Sequence, residues 1–228
     1  MYEKSLLQKL EYKYGRFAIQ NFMTVIVAVI GLVYVLDSMF IARIGTPLSY
    51  YFSFDRSAIL AGQVWRIITF VLIPYDSSVI FLIFSLYFYW LIGSMLESHW
   101  GPFKLNLFYL CGMFLTAAAG MIVGTCTGFY LNMSLFLAFA LLYPEFELLV
   151  FFAIPVKVKY LAIADLIILA YYLVIGNTSS YYLVIGNTAS RVSLIVSLLN
   201  VALFFFPNIK ANLRRFKQNA DMKRRFKR

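Results

Sequence analysis

Few residues in this chain of 228 can do chemistry, and their types and spacing narrow what that chemistry is. His99 is the only histidine. A hydrolytic serine needs a base beside it, because an unassisted hydroxyl is a poor nucleophile. The nearest candidate nucleophile is Ser134, in the run from Tyr130 through Asn132 to Leu135. Cys111 and Cys126 lie in apolar sequence with no partner at metal-ligand spacing, so they read as small packing residues. No metal and no cofactor is expected. Asp165 and Asn200 interrupt otherwise apolar runs. An Asp at a membrane helix centre costs about 2.5–3.5 kcal/mol on insertion scales, so the two are expected to face one another as a buried polar pair. That pair is either an interhelical hydrogen bond or part of a transport or proton-relay path.

The elements that hold these groups must be built for lipid. The chain is 62% hydrophobic and 13% charged, with mean hydropathy +0.80. Soluble domains carry about 45–50% apolar and about 25% charged residues. This composition excludes a soluble enzyme and a secreted disulfide scaffold. A helix crosses the roughly 30 Å hydrocarbon core with about 20 apolar residues. Uncharged runs of that size cover residues 17–36 and 77–96. Residues 105–144 suffice for two spans joined by a turn from Gly124 to Gly128. Residues 160–175 and 192–206 complete a set of six helices, since open strands leave backbone groups unpaired in lipid. The expected fold is therefore an all-α membrane bundle of six transmembrane helices over residues 17–206. A basic N-terminus (1–16) and a basic tail (207–228) flank it.

Charge placement supports an even number of spans. The tail holds nine basic residues against Asp221 alone. With both termini inside, 16 of the 20 basic residues fall on the cytoplasmic side, in keeping with the positive-inside rule. The tail is expected to lie on anionic lipid, where each basic residue contributes about 1 kcal/mol; nucleic acid is not an expected partner. Residues 44–65 read as an external loop, 66–73 as an interfacial piece, and 145–156 as a short internal link. Gly120-x-x-x-Gly124 offers a small-residue face for another helix. Asp37 and Arg43 reach the interface by snorkelling. Residues 171–180 and 181–190 are a tandem duplication with nine identities in ten. The first copy finishes helix five, and the second forms a hydrophobic external loop.

Four local patterns fall in order on this plan: Trp65-Arg66-x-x-Thr69 before helix two, Gly93-x-x-x-Glu97-x-x-x-Gly101 at its end, Ala138 to Pro144, and Phe151 through Pro155 to Lys157 and Lys159. Together they resemble the rhomboid superfamily of intramembrane serine proteases, inactive relatives and derlins. The resemblance implies a six-helix rhomboid-like bundle with a Ser–His dyad when active. That dyad would use a serine between glycines opening helix four and a histidine in helix six. Here Ser134 lacks both glycines, and helix six offers Ser193, Ser197 and Asn200 but no base. The family's oxyanion positions, sixteen and twelve residues before the glutamate, fall on Phe81 and Ser85. Losing one oxyanion donor alone costs about 10²–10³ in rate.

The expectation that follows is a pseudoprotease that binds transmembrane helices of client proteins without cleaving them. Phe81, Ser85, Asn132, Ser134, Ser193 and Ser197 would line its pocket. The alternatives are an atypical intramembrane serine protease using Ser134 and a small transporter using Asp165 and Asn200. The expected location is a bacterial plasma membrane, or the endoplasmic reticulum membrane of a eukaryote.

Overall fold

A computed structural model describes residues 6–74, 78–150, 154–175, 192 and 194–205. Ser193, most of the duplicated segment and the basic tail lie outside the described residues, so the expectations for them stand where the sequence left them. The described chain is mostly helical, and three helices are long and apolar enough to cross a membrane: α2 (Phe22–Ile44), α6 (Val79–Trp100) and α7 (Pro102–Val123). The chain is an integral, multi-pass membrane protein by this criterion. Three shorter apolar helices follow, α8 (Phe129–Leu142), α9 (Val158–Ile175) and α10 (Leu194–Phe205).

The first long helix begins five residues later than its uncharged run. Asn21 adopts the left-handed conformation at φ 52°, which asparagine tolerates better than most residues, and the helix starts behind it. It then runs past Asp37 to Gly45, whose φ of 80° ends it. Before it, α1 (Leu6–Tyr14) is an amphipathic helix in a stretch the sequence shows only as basic. An ion pair from Glu11 to Lys104, 3.2 Å long, ties α1 to the start of α7.

Between α2 and α6 the chain forms three short helices, α3 (Leu48–Phe52), α4 (Arg56–Leu60) and α5 (Arg66–Thr69). Asp37 does more than snorkel: its carboxylate accepts the Ser49 N–H at 2.7 Å, in the first turn of α3. Asp55 caps α4 by accepting from Ser57 and Ala58. The link after α8 is a hairpin, β1 (Glu147–Val150) against β2 (Ile154–Lys157), with Glu147 opposite Lys157.

α7 and α8 form the centre. Leu105, Phe108, Tyr109, Leu131, Leu135, Ala138 and Phe139 are all essentially inaccessible. α8 has 14 residues, so it spans ~21 Å, less than the hydrocarbon thickness. It is apolar all round and buried on most faces, which marks it as an inner helix wrapped by protein. The nearest neighbours of Gly120 among the described residues are Phe54 and Cys126. A Cβ there would meet Phe54 at 2.7 Å and Cys126 at 2.8 Å, so the loop's aromatic ring and the following turn occupy that face. Burial pushes the Cys126 thiol, in the turn outside the helices, up to about 12.

Candidate functional site

The two motif blocks become two joints at opposite ends of the bundle. At the first, Arg66 is only 5% exposed. Its Nε donates to Gln63 Oε1 at 2.7 Å, and one terminal nitrogen donates to the carbonyls of Tyr50 (2.9 Å) and Ser53 (2.6 Å). Trp65 Nε1 donates to the Tyr51 carbonyl at 3.3 Å, and Thr69 Oγ1 to the Phe52 carbonyl at 3.0 Å. Those acceptors are the C-terminal carbonyls of α3, groups a helix leaves unpaired at its end. Trp, Arg and Thr at spacings of one and three therefore clasp one short helix. Arg56 N–H on the Gly124 carbonyl and Thr125 Oγ1 on the Phe54 carbonyl fasten the same loop to the end of α7.

At the other end, Gly93, Glu97 and Gly101 each have a separate task. A Cβ at Gly93 would stand 2.0 Å from Met23 Cγ, so glycine lets α2 and α6 close. Glu97 Oε1 accepts the Asn21 N–H at 2.7 Å, holding the turn that opens α2. Gly101 supplies φ 84° between α6 and α7.

The residues expected to form a pocket are not drawn together in that way. Ser134 is 0% exposed and its hydroxyl donates to the Leu131 carbonyl of its own helix at 2.7 Å. Ser197 donates to the Tyr130 carbonyl at 2.6 Å, linking α10 to α8, and Asn132 is buried. Ser85 donates to the Leu82 carbonyl, while Phe81 is 61% exposed on the outside of α6. Each of these three hydroxyls donates to a helix carbonyl. His99 is exposed and stacks edge-on against Tyr143, with ring centroids 5.7 Å apart. Tyr143 lies nine positions beyond Ser134, ~13 Å along α8. The only imidazole thus stands at the far end of that helix from the serine.

Asp165 and Asn200 do not pair. Asn200 is fully buried, with Nδ2 donating to the Phe108 carbonyl at 3.4 Å and its amide packed over Gly112, where a Cβ would come within 2.6 Å. The side chain has turned to α7, because the missing Cβ of Gly112 leaves room there. Asp165 Oδ2 and Asn200 Oδ1 have no hydrogen-bond partner among the described residues.

At the hairpin end, the Glu145 carboxylate takes Lys157 at 2.8 Å and Lys159 at 2.5 Å. The hydrogen bond from Lys157, then that from Lys159, holds the Glu145 carboxyl down to about 2, and the same contact raises Lys157. The sequence showed two lysines beside a proline. It gave no sign that one glutamate twelve and fourteen residues upstream serves both. Among the described residues no group of three or more His, Cys, Asp or Glu side chains could hold a metal ion. Compared with protein-family models, with curated proteins and with solved structures, the chain matches none.

Proposed function

We propose that the chain is a rhomboid-like pseudoprotease of six spans, holding transmembrane segments of client proteins without cutting them. The observation that carries this reading is the state of Ser134. Its hydroxyl is inaccessible and already donates to Leu131, with the only imidazole at the opposite end of α8. Among the described residues, a serine so placed has no base beside it to take its proton and no open space for a carbonyl. The two motif joints support the fold half of the reading, since their residues fix elements by hydrogen bonds, a close helix approach and a turn, and not by a reactive group. Basic residues at the hairpin end (Lys13, Arg16, Lys104, Lys157, Lys159) support a cytoplasmic location for that end by the positive-inside rule. Clients would approach between α6 and α9, over the apolar faces marked by Ile80 and Phe81 on one side and Ile163 and Ile167 on the other, all exposed in the bundle.

The test uses the full chain in lipid nanodiscs, a fluorophosphonate probe and a panel of fluorescent single-span peptides. The expected result is bound, intact peptide and no probe adduct. An adduct or a cleaved peptide that disappears in Ser134→Ala would establish the protease reading instead. No peptide binding at all would remove the client reading. A transport role draws on the two unpaired oxygens of Asp165 and Asn200. It requires that Asp165→Asn alter a measured flux in proteoliposomes, and an unchanged flux eliminates it.

A further inference from the structure

A cavity of about 460 Å³ opens between α8, α9 and α10. Its lining is apolar except for Lys159. Pro144, Lys159 and Phe205 stand at one end, and Leu137, Leu166 and Leu198 at the other. The Lys159 N–H bonds to the Pro144 carbonyl, and Phe205 stacks near Trp100 at the end of α6, which fixes the first three at the hairpin end. On each side four residues line the groove over an interval of seven positions, so it runs ~10 Å along the bundle. That is from the membrane interface toward mid-bilayer, within one leaflet of a core about 30 Å thick.

We propose that this groove binds one anionic phospholipid, its acyl chain along the apolar walls and its phosphate at Lys159. Size separates this occupant from a protein helix. The groove is ~10 Å long, less than two turns of helix, so a helix crossing the bilayer would overrun it at both ends. A single hydrocarbon chain fits. The polarity of the site matches as well. An ammonium has three donors, and Lys159 gives one to Glu145 while a third of its side chain stays open to the interface. The remaining donors are available to a phosphate oxygen. Preference for an anionic headgroup comes from the two cations at this end, Lys157 and Lys159, set against the single carboxylate of Glu145.

The experiment is native mass spectrometry of the full chain released from nanodiscs containing equal phosphatidylglycerol and phosphatidylcholine. The expected spectrum shows one retained phosphatidylglycerol per chain. Lys159→Gln reduces that preference about fivefold, the equivalent of one interfacial charge. Ala202→Trp, placed on an exposed groove residue, removes retention of both lipids; Leu203→Trp on the adjacent outer surface leaves it intact. Unchanged retention in Ala202→Trp, equal retention of the two lipids, or full displacement by glycerol phosphate alone overturns the proposal. Displacement by a single-span peptide also does so, assigning the groove to a helix. Should the tryptophan variant lose its helical circular dichroism, spin-labelled phosphatidylglycerol on the wild-type chain decides: an immobilised fraction saturating at one per chain is required, and its absence is fatal.

Discussion

The two ends of the bundle are fixed by different forces. Around Arg66 a nearly inaccessible guanidinium and two neighbouring side chains donate into the carbonyls of α3. At the hairpin end the charges, Glu11 with Lys104 and Glu145 with Lys157 and Lys159, are between about one-third and two-thirds exposed. Hydrogen bonds to charged groups away from water contribute about 1.5–3 kcal/mol each; exposed ion pairs contribute about 0–1. Directed polar bonds therefore hold the Arg66 end, whereas packing holds the hairpin end, through the approach of Met23 to Gly93 and the rings of Trp100, Phe108, Phe204 and Phe205. A short clasped helix has too little apolar surface to be held otherwise.

Removing Arg66 is the strongest way to break this contrast. Arg66→Ala leaves the Tyr50 and Ser53 carbonyls without their donor and is expected to cost about 3–5 kcal/mol, read as a large fall in Tm in detergent. Arg66→Lys recovers under half of it, because one ammonium cannot reach Gln63, Tyr50 and Ser53 in the fork geometry. A wild-type Tm for Arg66→Ala would end the comparison. Next comes Gly93→Ala at the other end, whose new methyl overlaps Met23 and costs about 1–3 kcal/mol by overpacking. The same change is expected to cost much less in a Met23→Ala background. A double-mutant cycle with no coupling would move the close approach elsewhere.

Glu97 stands between the two regimes, a half-exposed carboxylate making one bond to backbone. Glu97→Ala is expected to cost about 1–2 kcal/mol and to speed amide exchange at Asn21. Glu97→Gln, which keeps an oxygen acceptor, loses about half of that. If the two variants behave alike, the residue acts by filling space and not by holding the turn.

Much of the helical plan is legible in uncharged runs, because lipid demands them whatever the tertiary contacts. The turn from Gly124 to Gly128 and the short link between α8 and α9 fall where glycine and proline put them. The start of α2 was not legible, since Glu97 and the left-handed Asn21 set it from 76 residues away. The hairpin escaped notice because its strands are four residues long and lie between prolines that signal only an interruption. In the site, the resemblance of two local patterns to the rhomboid motifs picked out Trp65, Arg66, Thr69, Gly93, Glu97 and Gly101, but the groups they meet are mostly backbone carbonyls and N–H groups, which carry no sequence signature. The expectation that Asp165 and Asn200 face one another rests on the cost of a polar group at membrane depth. Depth does not fix rotation about a helix axis, and Gly112 drew Asn200 to α7.

The smallest expected effect sharpens the comparison from the weak side. Glu145 ionises in the folded chain at about 2, against an ordinary 4.5, because Lys157 and then Lys159 bond to its charged form. A lowered carboxyl stabilises the fold above its ordinary value, and the contribution fades as pH falls from about 4.5 through about 2. The size of the shift overstates the effect on stability, since water and salt screen a carboxylate this exposed. Tm is thus expected to be flat from pH 8 to pH 5 and to fall below that by a small increment, which Glu145→Gln abolishes. In 1 M salt the wild type and Glu145→Gln should melt together, while Arg66→Ala keeps its full deficit, since ions cannot enter to screen a buried guanidinium. A Glu145→Gln deficit that survives high salt would mean that this ion pair, like the Glu97 bond to Asn21, acts as a directed bond.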